Sequence, residues 1–141
     1  NLQEAYRIIN SSPAVAFLRR NAPGWPVEFV SENVVSLLGY SAAELTSGKI
    51  TYQQVVHSAD LPRVTEEIIK HSHDPTCETF RHEPYRIVSK NNVVRWVDDL
   101  TRIHRNPDGE TSHYEGVILD VTDRMLAEQR LNWDTDYYEE Y

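Results

Sequence analysis

Two linked stretches constrain this chain more than any other part of it. The first is Tyr85-Arg86-Ile87-Val88-Ser89-Lys90-Asn91-Asn92-Val93-Val94-Arg95-Trp96-Val97, and the second is Gly116-Val117-Ile118-Leu119-Asp120-Val121-Thr122-Asp123-Arg124. The first predicts a β-hairpin, two strand-forming runs around an Asn-Asn turn, because asparagine tolerates the positive φ of a tight turn. The second predicts a strand that ends in Asp-Val-Thr-Asp and changes directly into a helical pattern. A sheet whose last strand runs into an outgoing helix can transmit a change in the sheet. Such an arrangement points to a sensor rather than an enzyme.

The rest of the chain predicts short elements. Leu2, Ala5, Tyr6 and Ile9 recur at i, i+3, i+4 and i+7, one face of an amphipathic helix over residues 1–12. Pro13 stops it by biasing its predecessor away from the helical region. Val15 to Leu18 and Val27 to Val30 read as strands around Asn21-Ala22-Pro23-Gly24. Ser31 can cap a helix carrying Val34, Val35, Leu37 and Leu38, which Gly39 closes. Ser41-Ala42-Ala43-Glu44 is a capping box. Asp60 and Pro62 mark a helix whose buried stripe is Leu61, Val64 and Ile68. Three strands follow, near Phe80 to Ser89, Val93 to His104 and Thr111 to Val121, with Asn106-Pro107-Asp108-Gly109 as the second turn. Pro84 lacks an N–H for a ladder, so its strand belongs at a sheet edge. From Arg124 to Trp133 the pattern is helical, and the acidic, aromatic tail from Asp134 to Tyr141 has no clear period.

Composition narrows the function classes. A chain of 141 residues with 40% hydrophobic content is one globular domain with short extensions. A net charge of −8 argues against nucleic acid as a partner, because phosphate binding needs a basic surface. No apolar run approaches the ~20 residues that span a bilayer, so no membrane contact is expected of this segment. The chain starts at Asn1 rather than methionine and shows no signal peptide; it is expected to be a piece of a longer cytoplasmic-side protein. The single cysteine, Cys77, leaves no internal disulfide framework.

The ordered motifs resemble a PAS domain over residues 13–123. Tyr85-Arg86-Ile87, a turn, Arg95-Trp96-Val97 and then Gly116-Val117-Ile118-Leu119-Asp120-Val121-Thr122-Asp123 are similar to the YRI…RWV…GxxxDIT pattern of one PAS subfamily. Phe29-Val30-Ser31-Glu32-Asn33, Leu38-Gly39-Tyr40-Ser41 through Leu45, and His57-Ser58-Ala59-Asp60 match its earlier signatures in order. The resemblance implies an α+β fold, a five-stranded antiparallel sheet in the order 2-1-5-4-3 with short helices on one face. That order places the Pro84 strand at an edge and the Thr111 to Val121 strand centrally. Residues 1–12 and 124–141 would be flanking helices. Pro84 stands where the subfamily usually has glutamate, and Asn91-Asn92 where Asp-Gly is usual.

The resemblance also implies a site. Tyr85 and Trp96, with Tyr52, Val56, Ile68 and Ile118, would wall a small-molecule pocket between sheet and helices, against the plainer reading that they are packed core. Asp120 and Thr122 would cap the outgoing helix and carry the signal, passing it to an effector in the same polypeptide such as a histidine kinase or a cyclic-dinucleotide enzyme. A homodimer formed through the helical ends is expected. The competing readings are a ligand-free dimerisation and relay module and a small enzyme. Adjacent Asp98 and Asp99 point to opposite faces of a strand, so they form no catalytic dyad and no catalytic residue is assigned. His71 and His73 lie on divergent helix faces, so no metal site is expected. Some PAS domains hold haem through a histidine near His71, but its polar neighbours argue against this. Thr51 to His57 lacks the cysteine of flavin photosensors. No haem, flavin or other cofactor is expected to be required.

Overall fold

Asn92 adopts φ 63°, the left-handed turn conformation that lets Tyr85–Val88 and Val94–Arg105 pair as a hairpin. The computed structural model describes residues 4, 7, 10 and 12–139, with side chains to residue 131. Glu4, Arg7 and Asn10 are helical, whereas Leu2, Ala5, Tyr6 and Ile9 lie outside the described residues. In chain order the elements are β1 (Val15–Arg20), β2 (Val27–Val30), α1 (Val34–Leu38), α2 (Ala42–Thr46), α3 (Tyr52–Val55), α4 (Leu61–Ser72), β3 (Thr79–Arg81), β4 (Tyr85–Val88), β5 (Val94–Arg105), β6 (Thr111–Asp120) and α5 (Thr122–Glu139). The sheet runs β2-β1-β6-β5, and both β3 and β4 pair with the far side of β5. Every pairing is antiparallel.

This is the expected order with one difference. The third strand is two short strands, interrupted over residues 82–84, which raises the strand count from five to six. Pro84 explains the break: it has no N–H to give to β5, so the ladder resumes at Tyr85. Its segment sits at the sheet edge and β6 sits centrally, as the residue pattern requires.

Local chemistry sets the helix ends. Ser41 accepts the Glu44 N–H at 3.1 Å while the Glu44 carboxylate accepts the Ser41 N–H at 3.0 Å, completing the capping box. Gly39 ends α1 at φ 76°. Ser31 does not cap α1 with its side chain. Its hydroxyl instead accepts the Ala16 N–H at 2.9 Å and bonds Asn33, joining the helix entry to β1. α5 begins at Thr122, two residues before the pattern predicts, and continues through the acidic tail to Glu139.

Side chains alternate across the sheet. Val15 and Phe17 of β1, Tyr85 and Ile87 of β4, Val97 and Ile103 of β5, and Tyr114 and Ile118 of β6 form one face. Leu38, Leu45, Tyr52, Val55, Val64 and Ile68 from the helices join them in one hydrophobic cluster. Each large side chain fully buried there contributes on the order of 1.5–3 kcal/mol. The outer face leaves Leu100, Val117 and Leu119 exposed.

The loop after α4 is held by one guanidinium. Arg105 donates to the backbone carbonyls of Cys77 (2.7 Å), Asp74 (2.9 Å) and Ser72 (3.2 Å), satisfying acceptors that the helix end leaves open. Arg105→Ala should therefore cost roughly 1–3 kcal/mol in urea melts and raise amide exchange between residues 72 and 78. Exchange that is unchanged in that loop would show the clamp to be idle.

Candidate functional site

The inner face of the sheet is not uniformly apolar. Arg19 follows Val15 and Phe17 at the same two-residue spacing, and Asp99 and Thr101 lie between Val97 and Ile103. All three polar residues are buried, Asp99 with no exposed surface at all. Arg19 Nη1 lies 3.3 Å from Asp99 Oδ2, and Nη2 lies 3.5 Å from the Thr101 hydroxyl. Thr101 donates to Asp99 at 2.9 Å, and Tyr85 donates its phenol proton to Asp99 at 2.6 Å. The Tyr85 hydroxyl meets that of Tyr52 at 2.5 Å, and the Arg19 guanidinium stands 4.4 Å from the Tyr52 ring centroid. Three strands and a short helix thus meet around one carboxylate.

Gly116 makes the convergence feasible. It lies on β6 between β1 and β5, opposite both Phe17 and Thr101. A Cβ there would lie 2.1 Å from Arg19 Nη2 and 2.9 Å from Asp99 Oδ1. The bare backbone is the floor over which Arg19 reaches β5.

Charge states follow from the surroundings. Burial pushes the Asp99 pKa up, but Arg19, then His82, and the Tyr85 hydrogen bond outweigh it, so the carboxyl lies below its ordinary range. Burial alone would lower the Arg19 value, and Asp99 reverses this. Burial keeps both Tyr52 and Tyr85 protonated far above neutral pH. His82, at the strand break, is pushed down by burial. It bonds Glu67 of α4 at 2.9 Å through Nδ1, and its Nε2 lies 4.0 Å from Asp99.

Of the residues expected to wall a pocket, Tyr52, Val56, Ile68, Tyr85 and Ile118 are all buried on this side. Trp96 is not among them. The register pairs Tyr85 with Val97 and Arg86 with Trp96, so Trp96 projects from the opposite face, 5.2 Å beneath the Arg86 guanidinium. Arg19, His82 and Thr101 are residues that sequence reasoning passed over, and Asp99 was weighed only as half of a catalytic pair and set aside. The available signal was a charged residue at an inward register position on each of two strands. His71 stacks on Phe80 at 4.3 Å, with Nδ1 3.9 Å from Cys77 Sγ. A surface groove of about 450 Å³ beside Phe29, Ala42 and Thr46 shares no lining residue with the Arg19–Asp99 cluster.

Asp120 and Thr122 also sit together, in a different arrangement from a simple pair of caps. Asp120 accepts the Thr122 N–H at 2.9 Å and bonds its hydroxyl, and Arg95 donates to Asp120 at 3.1 Å. The Thr122 hydroxyl in turn accepts the Trp96 N–H at 2.9 Å, and Val121 N–H donates to the Trp96 carbonyl at 2.8 Å. Burial raises the Asp120 pKa, but the Thr122 and Arg95 contacts more than reverse this. The helix start is thereby stitched to β5. Beyond Trp96, Arg86 binds Asp60 at the head of α4 through two side-chain contacts of 2.8 and 3.0 Å and its own N–H.

The Arg86 hydrogen bonds hold the Asp60 carboxyl below its ordinary value, against a smaller opposing effect of burial. A depressed folded pKa contributes stability above the unfolded value of about 3.9, and that stability is lost as pH falls through the folded pKa. Asp60→Asn should therefore flatten the acid limb of a stability–pH curve. An acid limb as steep as the wild type's would place the linkage on other carboxylates.

The architecture is an α+β domain with one antiparallel sheet, short helices on one face and a last strand that runs directly into a helix. Residues 27–118 match the PAS fold family, and the chain belongs to that family. It is 44% identical over 126 residues to the methyl sulfide methyltransferase-associated sensor of Methanosarcina acetivorans, a match covering 89% of this chain and 12% of that protein. It is 28% identical over 132 residues to the two-component sensor PprA of Pseudomonas aeruginosa, covering 93% of this chain and 14% of the relative. The chain therefore spans a small part of each relative. A sensory box histidine kinase/response regulator from Burkholderia thailandensis shares the fold with a TM-score of 0.75 at 22% identity, over 99% of this chain and 98% of that one. An RNA-binding light-oxygen-voltage receptor does so with a TM-score of 0.74 at 18% identity, over 99% and 38%. The domain is a PAS sensory module. Among the described residues, no helix is long and apolar enough to cross a membrane.

Proposed function

We propose that this domain is the input module of a longer signalling polypeptide, sensing a small ligand on the inner face of its sheet and relaying the state through α5. The observation that carries the reading is the stitched junction at Asp120 and Thr122. Any shift of β5 against β6 must strain the Trp96–Thr122 and Arg95–Asp120 contacts, and with them the first turn of α5. Tyr52, Val56, Ile68, Tyr85 and Ile118, joined by Arg19 and Asp99, are the proposed ligand-facing residues. Native mass spectrometry of the purified chain, with its absorption spectrum, tests the ligand directly. A bound small molecule supports the reading, and protein that stays empty across candidate ligands argues against it.

The effector is placed in the same polypeptide, since both curated relatives are far longer than this chain. A homodimer accords with the exposed Leu100, Val117 and Leu119 on the outer sheet face, and the cytoplasm is the proposed location. A second reading, a ligand-free relay, is favoured by one feature: the Arg19 guanidinium itself occupies the polar centre of the inner face.

Asp120→Ala and Thr122→Ala should each cost about 1 kcal/mol of domain stability, the scale of a lost helix cap, and leave the fold intact. That loss is comparable to common allosteric coupling energies, so both variants should alter effector output in the intact protein. Thermal melts of the domain, paired with output measured with and without stimulus, check this. Unaltered regulation in both would place the output path elsewhere.

A further inference from the structure

The buried centre has the form of a receptor whose occupant belongs to the chain. Asp99 supplies a carboxylate, Thr101 and Tyr85 supply hydroxyls that orient it, and Tyr52 supplies an aromatic face. Gly116 supplies a floor without a side chain, filled by the guanidinium end of Arg19. A carboxylate beside an aromatic face recognises organic cations, because the ring quadrupole and the anion attract the same charge.

Arg19 fills this place imperfectly. Charge-assisted N–H···O bonds usually measure about 2.7–2.9 Å. The contacts to Asp99 and Thr101 are 3.3 and 3.5 Å, and Arg19 Nε is buried with no hydrogen-bond partner. A guanidinium tethered from β1 cannot present its whole donor fork to β5. A free cation of the same size is not so restricted. An anion is disfavoured by Asp99, which has no exposed surface and stays ionised against Arg19.

We propose that the inner face of this sheet is a binding site for a small organic cation of guanidinium or methylated ammonium type, held at rest by Arg19 as a tethered occupant. An external cation takes the place over Gly116 between Asp99 and Tyr52, and the Arg19 side chain is displaced. The proposal deepens the sensory reading above by naming the chemistry of the ligand, and it rests on that reading for its role in signalling.

The test is replacement of the tether by free cation in the 141-residue chain. Arg19→Ala opens the place that guanidinium or methylguanidinium would fill, with urea at equal concentration as the neutral control of the same shape. The expected result is a rise in Tm beginning at low millimolar guanidinium and absent with urea, growing with the logarithm of cation concentration once the site is mostly filled. Asp99→Asn in the same background should weaken the response at least tenfold. If Arg19→Ala is unfolded alone, guanidinium should restore its dispersed amide spectrum. In the wild-type chain, methylguanidinium or tetramethylammonium should shift the Arg19 Nε–Hε resonance saturably, at higher concentration because the tether competes. A variant that answers guanidinium and urea alike, or neither, overturns the proposal, as does a wild-type Arg19 resonance that no cation moves. A ligand of other chemistry found by native mass spectrometry would refute the cation site while leaving the sensory reading intact.

Discussion

Arg19→Met should destabilise the domain by about 3–5 kcal/mol, because it leaves Asp99 ionised and uncompensated in the interior. Domains of this size hold only ~5–15 kcal/mol in total, so the variant should sit near the edge of folding at ambient temperature. The burial figures make the size of the effect: the side chains of Arg19 and Asp99 are 4% and 0% exposed, so solvent cannot screen the loss. The pH dependence should also change sign. With Arg19 present, the Asp99 pKa is depressed, and its stability is present above the unfolded value and lost as pH falls through the folded one. With Arg19 removed, burial dominates and the pKa rises above the unfolded value. The variant should then be relatively most stable in acid and lose stability as pH rises through the folded pKa. Arg19→Met combined with Asp99→Leu should recover most of the loss, since an apolar pair needs no charge compensation, although the Tyr85 hydroxyl would lose its acceptor. Urea melts at several pH values decide it. A double variant as unstable as the single one would mean that packing, not charge, sets the cost.

Gly116→Ala should have an effect of similar size, by steric displacement of the same guanidinium. The added methyl would lie 2.1 Å from Arg19 Nη2, so the guanidinium must leave its place over β6. A flexible side chain usually yields cheaply, but this one is held between Asp99, Thr101 and the Tyr52 ring. Moving it breaks the buried pair, which gives an expected loss of roughly 3–5 kcal/mol. The two substitutions share one interaction, so their effects should not add. In an Arg19→Met background, Gly116→Ala should cost much less than in the wild type. Full additivity in a double-mutant cycle would show that the glycine matters for some reason other than the guanidinium.

The lessons of particular residues divide cleanly by range. Asn92 at the hairpin, Gly39 after α1 and the Ser41–Glu44 capping box were legible because each acts within a few residues of itself. Pro84 was legible as an edge residue because a missing N–H is a property of one residue, but the consequence that β3 and β4 become separate strands depended on how β5 pairs with them. Ser31 was misassigned as a helix cap because its better partner, the Ala16 N–H, is 15 residues away. Trp96 shows the cost of a single step of register: strand alternation was evident, but which set faced the helices was settled by its pairing with Arg86.

The order of short motifs by itself determined the PAS family, the antiparallel sheet with its central last strand, and the direct passage from that strand into a helix. The strands, the turns and the strand-to-helix passage are products of local propensity, turn chemistry and side-chain alternation, whereas the sheet order came through the resemblance those motifs carry. Only the tertiary structure decided that Arg19, Asp99, Thr101, Tyr85 and Tyr52 meet over Gly116. Arg19 and Asp99 are 80 positions apart, and they meet only because β6 lies between their strands and leaves its one bare backbone position beneath them. A buried charge pair depends on complementarity across the sheet, and no local pattern encodes it.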